Sequence, residues 1–365
     1  MEIIRRWFVR NFSDPQAVIL GMLLLVGFGV VLFLGRMLTP VLASIVIAYL
    51  LEGAVRMMER RGAPRTSSVL LVFTSFMAFI VFLLFVVVPS LWGQSVELLR
   101  ELPTYVKKGQ DALLALPEHY TFISEAQILE IMGMVSREVT TAGQRLLTLS
   151  LSSIPGLITL LVYFILVPLL VFFFLKDKRR LLDWMTAFLP RDHSLAEQVW
   201  RDVDQQLGNY VRGKFWEILI VGGVTFTVFS LMGLNYPILL AVLVGLSVVV
   251  PYVGAAVVTI PVAVVAYFQW GWSSEFAWLI VAYFIIQALD GNVLVPLLFS
   301  EVVNLHPIAI IVAILVFGGL WGFWGIFFAI PLATLVSAIL TAWPRQAGGE
   351  GEVATAGMEN PDEAP

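Results

Sequence analysis

One acidic side chain stands out for where it lies. Asp290 sits inside residues 277–299, a run that is otherwise apolar and long enough to cross a membrane. Tyr283, Gln287 and Asp290 fall on one face at helical spacing. An ionised aspartate at the centre of a span costs about 2.5 to 3.5 kcal/mol on insertion scales, so its carboxylate must meet a partner or water. The chemistry open to such a group is to hold a proton, a cation or a hydroxyl of a passing solute. Gly291 weakens the helix beside it, and Pro296 has no N–H to offer the carbonyl of Asn292, which frees that oxygen for coordination. Gln287, Asp290 and the Asn292 backbone form the preferred site. A buried structural polar cluster, or an aspartate close enough to the interface to be solvated, is the competing reading.

Two discontinuities flank this span. The first is Pro251-Tyr252-Val253-Gly254, and the second runs from Gly318 through Gly319 and Gly322 to Gly325. A shift of 70 residues aligns Phe229-Ser230 with Phe299-Ser300, Pro237-Ile238 with Pro307-Ile308, and Ile260-Pro261 with Ile330-Pro331. Irregular backbone at membrane depth is tolerated only where protein or a watery cavity supplies partners, so each break predicts a protein-lined pocket. Each unit, 216–268 and 277–343, is either one kinked crossing or a hairpin that enters and leaves on the same side. Residues 269–276 carry no Lys or Arg but hold Trp270 and Trp272, which favours the outside and therefore the hairpin, with the two units inverted. His306, ahead of Pro307, is expected in an extended loop at the interface.

The elements that position these residues follow from composition. The chain has 365 residues, 59% hydrophobic and only 13% charged, which excludes an ordinary water-soluble enzyme. Its net charge of −4 gives no basic surface for phosphates, so nucleic acid is not an expected partner; the lipid bilayer is. With no cysteine, disulfides, thiolate metal sites and thiol nucleophiles are excluded. His119, His193 and His306 lie too far apart for metal-ligand spacing. No phosphate-cradling G-x-x-x-x-G-K-[S/T], H-E-x-x-H or G-x-S-x-G is present, and Asp290 is the one acid embedded convincingly, so a paired-aspartate protease lacks its second carboxylate. No enzyme and no cofactor are expected, beyond a transported or coupling proton or sodium ion.

Hydropathy divides the chain into four parts. Residues 1–89 hold N-terminal membrane segments. The stretch 15–51 is broken only by Gly35 and Arg36 and lies between Arg5, Arg6, Arg10 and Arg56, Arg60, Arg61, Arg65. Positive charge at both ends favours the cytoplasm and an even number of crossings, so two spans joined by a turn are expected there. A third run, 67–88, ends at Pro89. Residues 90–153 read as an extramembranous insert of short helices broken at Pro103 and Pro117. Residues 154–344 form the core: a span kinked at Pro168, the cytoplasmic cluster Lys176, Lys178, Arg179 and Arg180, an interfacial amphipathic helix 194–214 opened by Ser194-x-x-Glu197, a span 215–234, and the two interrupted units. The tail 345–365 has a disordered composition. The fold class is an all-α polytopic membrane protein.

The ordered set Tyr210-x-x-Gly213, Pro251-Tyr252-x-Gly254, Gln287-x-x-Asp290-x-Asn292-x-x-x-Pro296, Leu305-His306-Pro307 and Gly319-x-x-Gly322-x-x-Gly325-x-x-x-x-Ile330-Pro331 resembles the autoinducer-2 exporter family, the PerM-like permeases. The resemblance covers the chain to about residue 344. It implies an inner-membrane secondary transporter of about eight membrane segments, assembled as a homo-oligomer. Some relatives are associated with export of autoinducer-2 and others with sodium/proton antiport. The family usually has Glu where this chain has Asp290, which keeps the carboxylate and shortens its reach.

The expected function is ion-driven movement of a small polar solute, autoinducer-2-like, along a path between the interrupted units, with both termini cytoplasmic. Asp290 would hold a proton, cation or solute hydroxyl, and Pro251, Tyr252, Gly254, Pro261, Gly291, Gly319, Gly322, Gly325 and Pro331 would supply backbone ligands and hinges. One rival is a sodium/proton antiporter. Another is a non-transporting membrane scaffold that binds a partner through 90–153.

Overall fold

Apolar runs buried in hydrocarbon must close their backbone hydrogen bonds within the segment, which leaves helices as the economical solution. The computed structural model describes residues 15–114, 154–187, 194–251, 253–299 and 306–342, with isolated positions between 130 and 141. Every regular element among the described residues is helical. Five helices are long and apolar enough to cross a membrane, and three shorter apolar ones accompany them. The protein is an all-α polytopic membrane protein.

The N-terminal helix α1 (Pro15–Arg60) is continuous for 46 residues, about 69 Å at 1.5 Å per residue. This corrects the expectation of two spans joined near Gly35-Arg36. Neither residue turns the chain, because a single glycine lowers helix stability by only about 1 kcal/mol and the flanking apolar residues continue the helix. Next comes α2 (Arg65–Phe82), followed by a π turn (Leu83–Val87) and α3 (Val88–Leu114). Pro89 therefore does not end the third run, and Pro103 lies inside α3 without breaking it. The π turn explains the first of these. Val88 N–H reaches back to Leu83 O, which widens the helix one residue before the proline ring would clash with it.

The chain returns as α4 (Ile154–Lys176), with Pro168 inside it, and α5 (Lys178–Thr186). Three basic residues from two of the positive clusters converge on one acid. Glu52, 7% exposed, takes Arg56, Arg65 and Lys178 at 3.3 Å each, and Arg65 also donates to Leu175 O at 2.7 Å. The amphipathic stretch and the fifth span are one helix, α6 (Ser194–Leu231), tied to α1 through Tyr49 and Asp204.

From α6 the chain folds back as α7 (Pro237–Ser247) and out again as α8 (Val253–Trp270). α6 and α7 run antiparallel and very close: a Cβ on Gly245 would stand 3.0 Å from Ile218 O and 3.1 Å from Gly222 Cα. Such small-residue contacts let backbones approach where lipid offers no hydrophobic drive for association. Gln269 joins the outer ends of the α7–α8 hairpin, accepting from Asn235 N and donating to Gly233 O, both at 2.8 Å. Then follow α9 (Ser274–Leu289), a π turn (Asp290–Leu294) and α10 (Val295–Phe299). The last pieces are α11 (Pro307–Trp321), α12 (Phe323–Phe327) and α13 (Ala329–Ala342). The main core packs Val221 and Phe229 of α6 on Leu240 and Val244 of α7, Val262 of α8 and Leu279 of α9.

Most of the insert beyond Leu114, Tyr252, and the tail 345–365 lie outside the described residues. Within the insert, α3 leans on the outer end of the first hairpin. Gln94 accepts from Leu239 N at 2.9 Å, and Tyr105 stacks on Phe268 with centroids 4.8 Å apart.

Candidate functional site

The helix carrying Asp290 does not break there; it widens. Val295 N–H reaches Asp290 O across the π turn Asp290–Leu294, and Pro296 follows immediately. The arrangement repeats that of Leu83–Val87 and Pro89, so proline is the cause of both bulges. The bulge rotates Asp290 relative to a regular helix, and π turns of this kind recur at functional positions.

Three of the sequence-selected side chains come together. Tyr283 is fully buried, its hydroxyl 3.0 Å from Thr259 Oγ1 and donating to Ala255 O at 3.3 Å, which fixes α9 against α8. Gln287 neighbours that hydroxyl. Gln287 Nε2 and Asp290 Oδ1 are both buried and make no hydrogen bond. A buried polar atom left unmatched costs about 1–3 kcal/mol, so two within one turn of the same helix mark a place where a partner is missing.

The others are set apart. Asn292 is exposed and turns its amide back to Ala288 O at 2.8 Å, while Gly291 and Pro296 are also exposed. His306 is exposed and caps α11, its Nδ1 accepting from Ile308 N at 3.3 Å. Pro261 lies inside α8, and Pro331 lies buried in the first turn of α13. Gly319 and Gly322 are exposed, and Gly322, with φ 59°, ends α11 in a conformation open to glycine.

The breaks themselves share a contact. Gly254 lies under the carbonyl of Ser247, and Gly325 under that of Phe317; at either, a Cβ would stand 1.8 Å from the oxygen. Pro237 and Pro307 both open the first arm of their unit at the first helical position.

Two residues that matter were missed in the sequence, and one overturns a stated expectation. Asp290 is not the one embedded acid: Glu217 is 2% exposed and Lys214 3% exposed, both on α6. Lys214 Nζ lies 2.7 Å from Glu217 Oε2, donates to Val248 O at the tip of the first hairpin at 2.7 Å, and sits 5.2 Å from the centroid of the Phe299 ring. The Lys214–Glu217 contact is an ion pair by distance, yet Oε2 lacks the alignment of a hydrogen bond. Asp290 interacts electrostatically with both. The signal was there: Lys214-x-x-Glu217 is an i,i+3 pair of opposite charges within apolar flanks. Glu217 carries its own ammonium partner, which a paired-aspartate centre does not.

Among the described residues, no three His, Cys, Asp or Glu side chains gather as metal ligands would. What the arrangement can do is bind: an ammonium joins one carboxylate to the carbonyl of a hairpin tip, with a second carboxylate in electrostatic reach.

A family model for AI-2E family transporters matches residues 20–345. The chain belongs to this family. PerM of Escherichia coli strain K12, named as a permease, is 47% identical over 345 residues, covering 94% of this chain and 98% of that protein. YueF of Bacillus subtilis strain 168, named as a transport protein, is 28% identical over 315 residues, covering 84% of each. YrrI of the same organism, also named as a transport protein, is 29% identical over 308 residues, covering 82% of this chain and 85% of its own. The Lys214, Glu217 and Asp290 group lies within the residues that the family model matches.

Proposed function

We propose that the chain is a secondary transporter of the bacterial inner membrane that exports a small polar solute of the autoinducer-2 type, driven by an ion gradient. One observation carries this reading. Asp290 Oδ1 and Gln287 Nε2 are buried and make no hydrogen bond, and Asp290 lies within electrostatic reach of the Lys214 that grips the hairpin tip. A polyol could satisfy both atoms, donating a hydroxyl to the carboxylate and accepting from the amide.

In this reading the α7–α8 hairpin and the α11–α13 unit are inverted repeats that enter from opposite faces. The parallel contacts of Gly254 and Gly325, and the paired prolines Pro237 and Pro307, support it. Rocking of one unit against the other would expose the site alternately to either side. The chain would act as a homo-oligomer with both termini in the cytoplasm. Sodium/proton antiport is the second reading, favoured by the density of buried charge at Lys214, Glu217 and Asp290.

The test is flux of autoinducer-2 into or out of vesicles holding the purified protein, under imposed proton and sodium gradients. Asp290→Asn is expected to lower gradient-driven flux at least about tenfold, as loss of one charge-assisted contact of roughly 1.5–3 kcal/mol implies. Unchanged flux and unchanged ion dependence would remove Asp290 from the mechanism. Sodium-driven proton movement without any organic solute would favour the antiport reading.

A further inference from the structure

Lys214 has two carboxylates to serve and one charge to give. Glu217 and Lys214 are each more than nine-tenths buried, 2.7 Å apart, and Asp290 Oδ1 is buried within electrostatic reach of both without a hydrogen bond. Two carboxylates and one ammonium leave a net charge of −1 if all are ionised. The elements around them do little to offset it. On α6, Arg212 turns its guanidinium to Asn209 Oδ1 and Tyr210 adds a neutral phenol; α9 adds that of Tyr283 and carries Glu275 at its exposed far end; Glu52 and Arg56 of α1 pair with each other; and α7, α10 and α13 contain no ionisable side chain. An uncompensated buried charge is costly, and the cheapest remedy is a proton. A metal ion would need a shell of several oxygens, whereas the Val248 carbonyl here is already taken by the ammonium.

We propose that Glu217 and Asp290 share one exchangeable proton, that the Lys214 ammonium pairs with whichever carboxylate lacks it, and that Lys214 grips the hairpin tip at Val248 only while paired with Glu217. This rests on the transport reading in one respect: it names the proton as the coupling ion and Lys214 as the group that links it to the hairpin. With the ammonium on Glu217, a proton from water on one face adds to the Asp290 carboxylate. When the ammonium crosses to Asp290, the Asp290 proton passes to Glu217, and Val248 O loses its donor. Return of the ammonium sends the Glu217 proton to water on the other face. No electrons move, and one proton crosses per cycle.

The experiment is infrared difference spectroscopy on the full chain in phospholipid vesicles free of added solute, reading the carbonyl stretch of protonated carboxyl groups. The native protein is expected to show one such group from this site. Glu217→Gln and Asp290→Asn should each abolish it, because the remaining acid then has the ammonium to itself, and Lys214→Met should raise it about twofold. Glu217→Asp and Asp290→Glu should retain it, which separates a lost proton from a lost fold. A signal that persists at native strength in Glu217→Gln, or that is missing from the native protein, would overturn the shared proton.

The grip on the hairpin is read separately. The chain has no native cysteine, so Val250→Cys offers a single thiol at the tip. Its modification by a water-soluble maleimide should be about tenfold faster when combined with Lys214→Met, as loss of a charged hydrogen bond implies. Equal rates would overturn the link to Val248. Neither measurement involves solute, so failure of a flux assay leaves the proton result intact, and failure here leaves the transport reading standing without this coupling.

Discussion

Gly254 lies so close beneath Ser247 that an added Cβ would stand 1.8 Å from its carbonyl oxygen and 2.6 Å from its carbonyl carbon. Both atoms are backbone, so neither can swing aside as a side chain would. The hairpin tip closes because this residue has nothing beyond Cα. Gly254→Ala is expected to destabilise the protein by about 3 kcal/mol or more, as forced overpacking does. Gly223→Ala and Gly291→Ala, where a Cβ meets nothing within 4 Å, should change stability by less than about 1 kcal/mol. Thermal melts in detergent check both, and equal effects at Gly254 and Gly223 would contradict the tip geometry.

Glu52 holds three cations from three elements, and its side chain is only 10% exposed. Removing one member of a buried ionic set leaves the others uncompensated, so Glu52→Gln should cost about 3 kcal/mol. Arg56, whose side chain is 53% exposed, should cost less than about 1 kcal/mol on replacement by Gln. Melts of the two variants in the same detergent give the comparison.

Much of the architecture was readable because it follows from hydropathy. The interrupted units, the paired prolines and the positive clusters came from composition and spacing. The continuity of α1 and of α2 into α3 did not, because proline and glycine state a preference that neighbours can override. Pro89 and Pro296 are absorbed by π turns, a solution that depends on where the widened carbonyls can rest. At the candidate site, Tyr283, Gln287 and Asp290 were selected for their shared face. Lys214 and Glu217 were hidden in a segment read as a boundary between an interfacial helix and a span, and only the fold-back of α7 carries Val248 to them. Asn292 was selected for its backbone carbonyl; its exposed side-chain amide bonds its own helix at Ala288 O.

The side of the membrane on which the first hairpin opens can be read chemically. Ser274 is exposed at the start of α9, beside the connection that lacks Lys and Arg. Ser274→Cys is expected to react with a membrane-impermeant maleimide in intact cells. Reaction only after permeabilisation would place this connection on the cytoplasmic face and reverse the orientation of the hairpin.

Tyr236 precedes the first hairpin with φ 58°, the one non-glycine residue with positive φ among the described residues. Burial, and then a hydrogen bond to Glu101, hold its hydroxyl well above the ordinary tyrosine value. The sign follows directly. Unfolded, the phenol ionises near pH 10, while folded it stays neutral, so its contribution is complete below about pH 10 and is lost as pH rises above that. Tyr236→Phe should flatten the decline in stability above pH 10 relative to the native protein, in melts taken at stepped alkaline pH. Parallel declines would show that this phenol does not govern it.

The bulge at Leu83–Val87 keeps residues 65–114 as one nearly unbroken rod, about 75 Å if straight. One end is anchored by Arg65 to the carbonyl of Leu175, and its far half holds Leu239 and Phe268. The rod thus joins the end of α4 to the mouth of the first hairpin as a single strut.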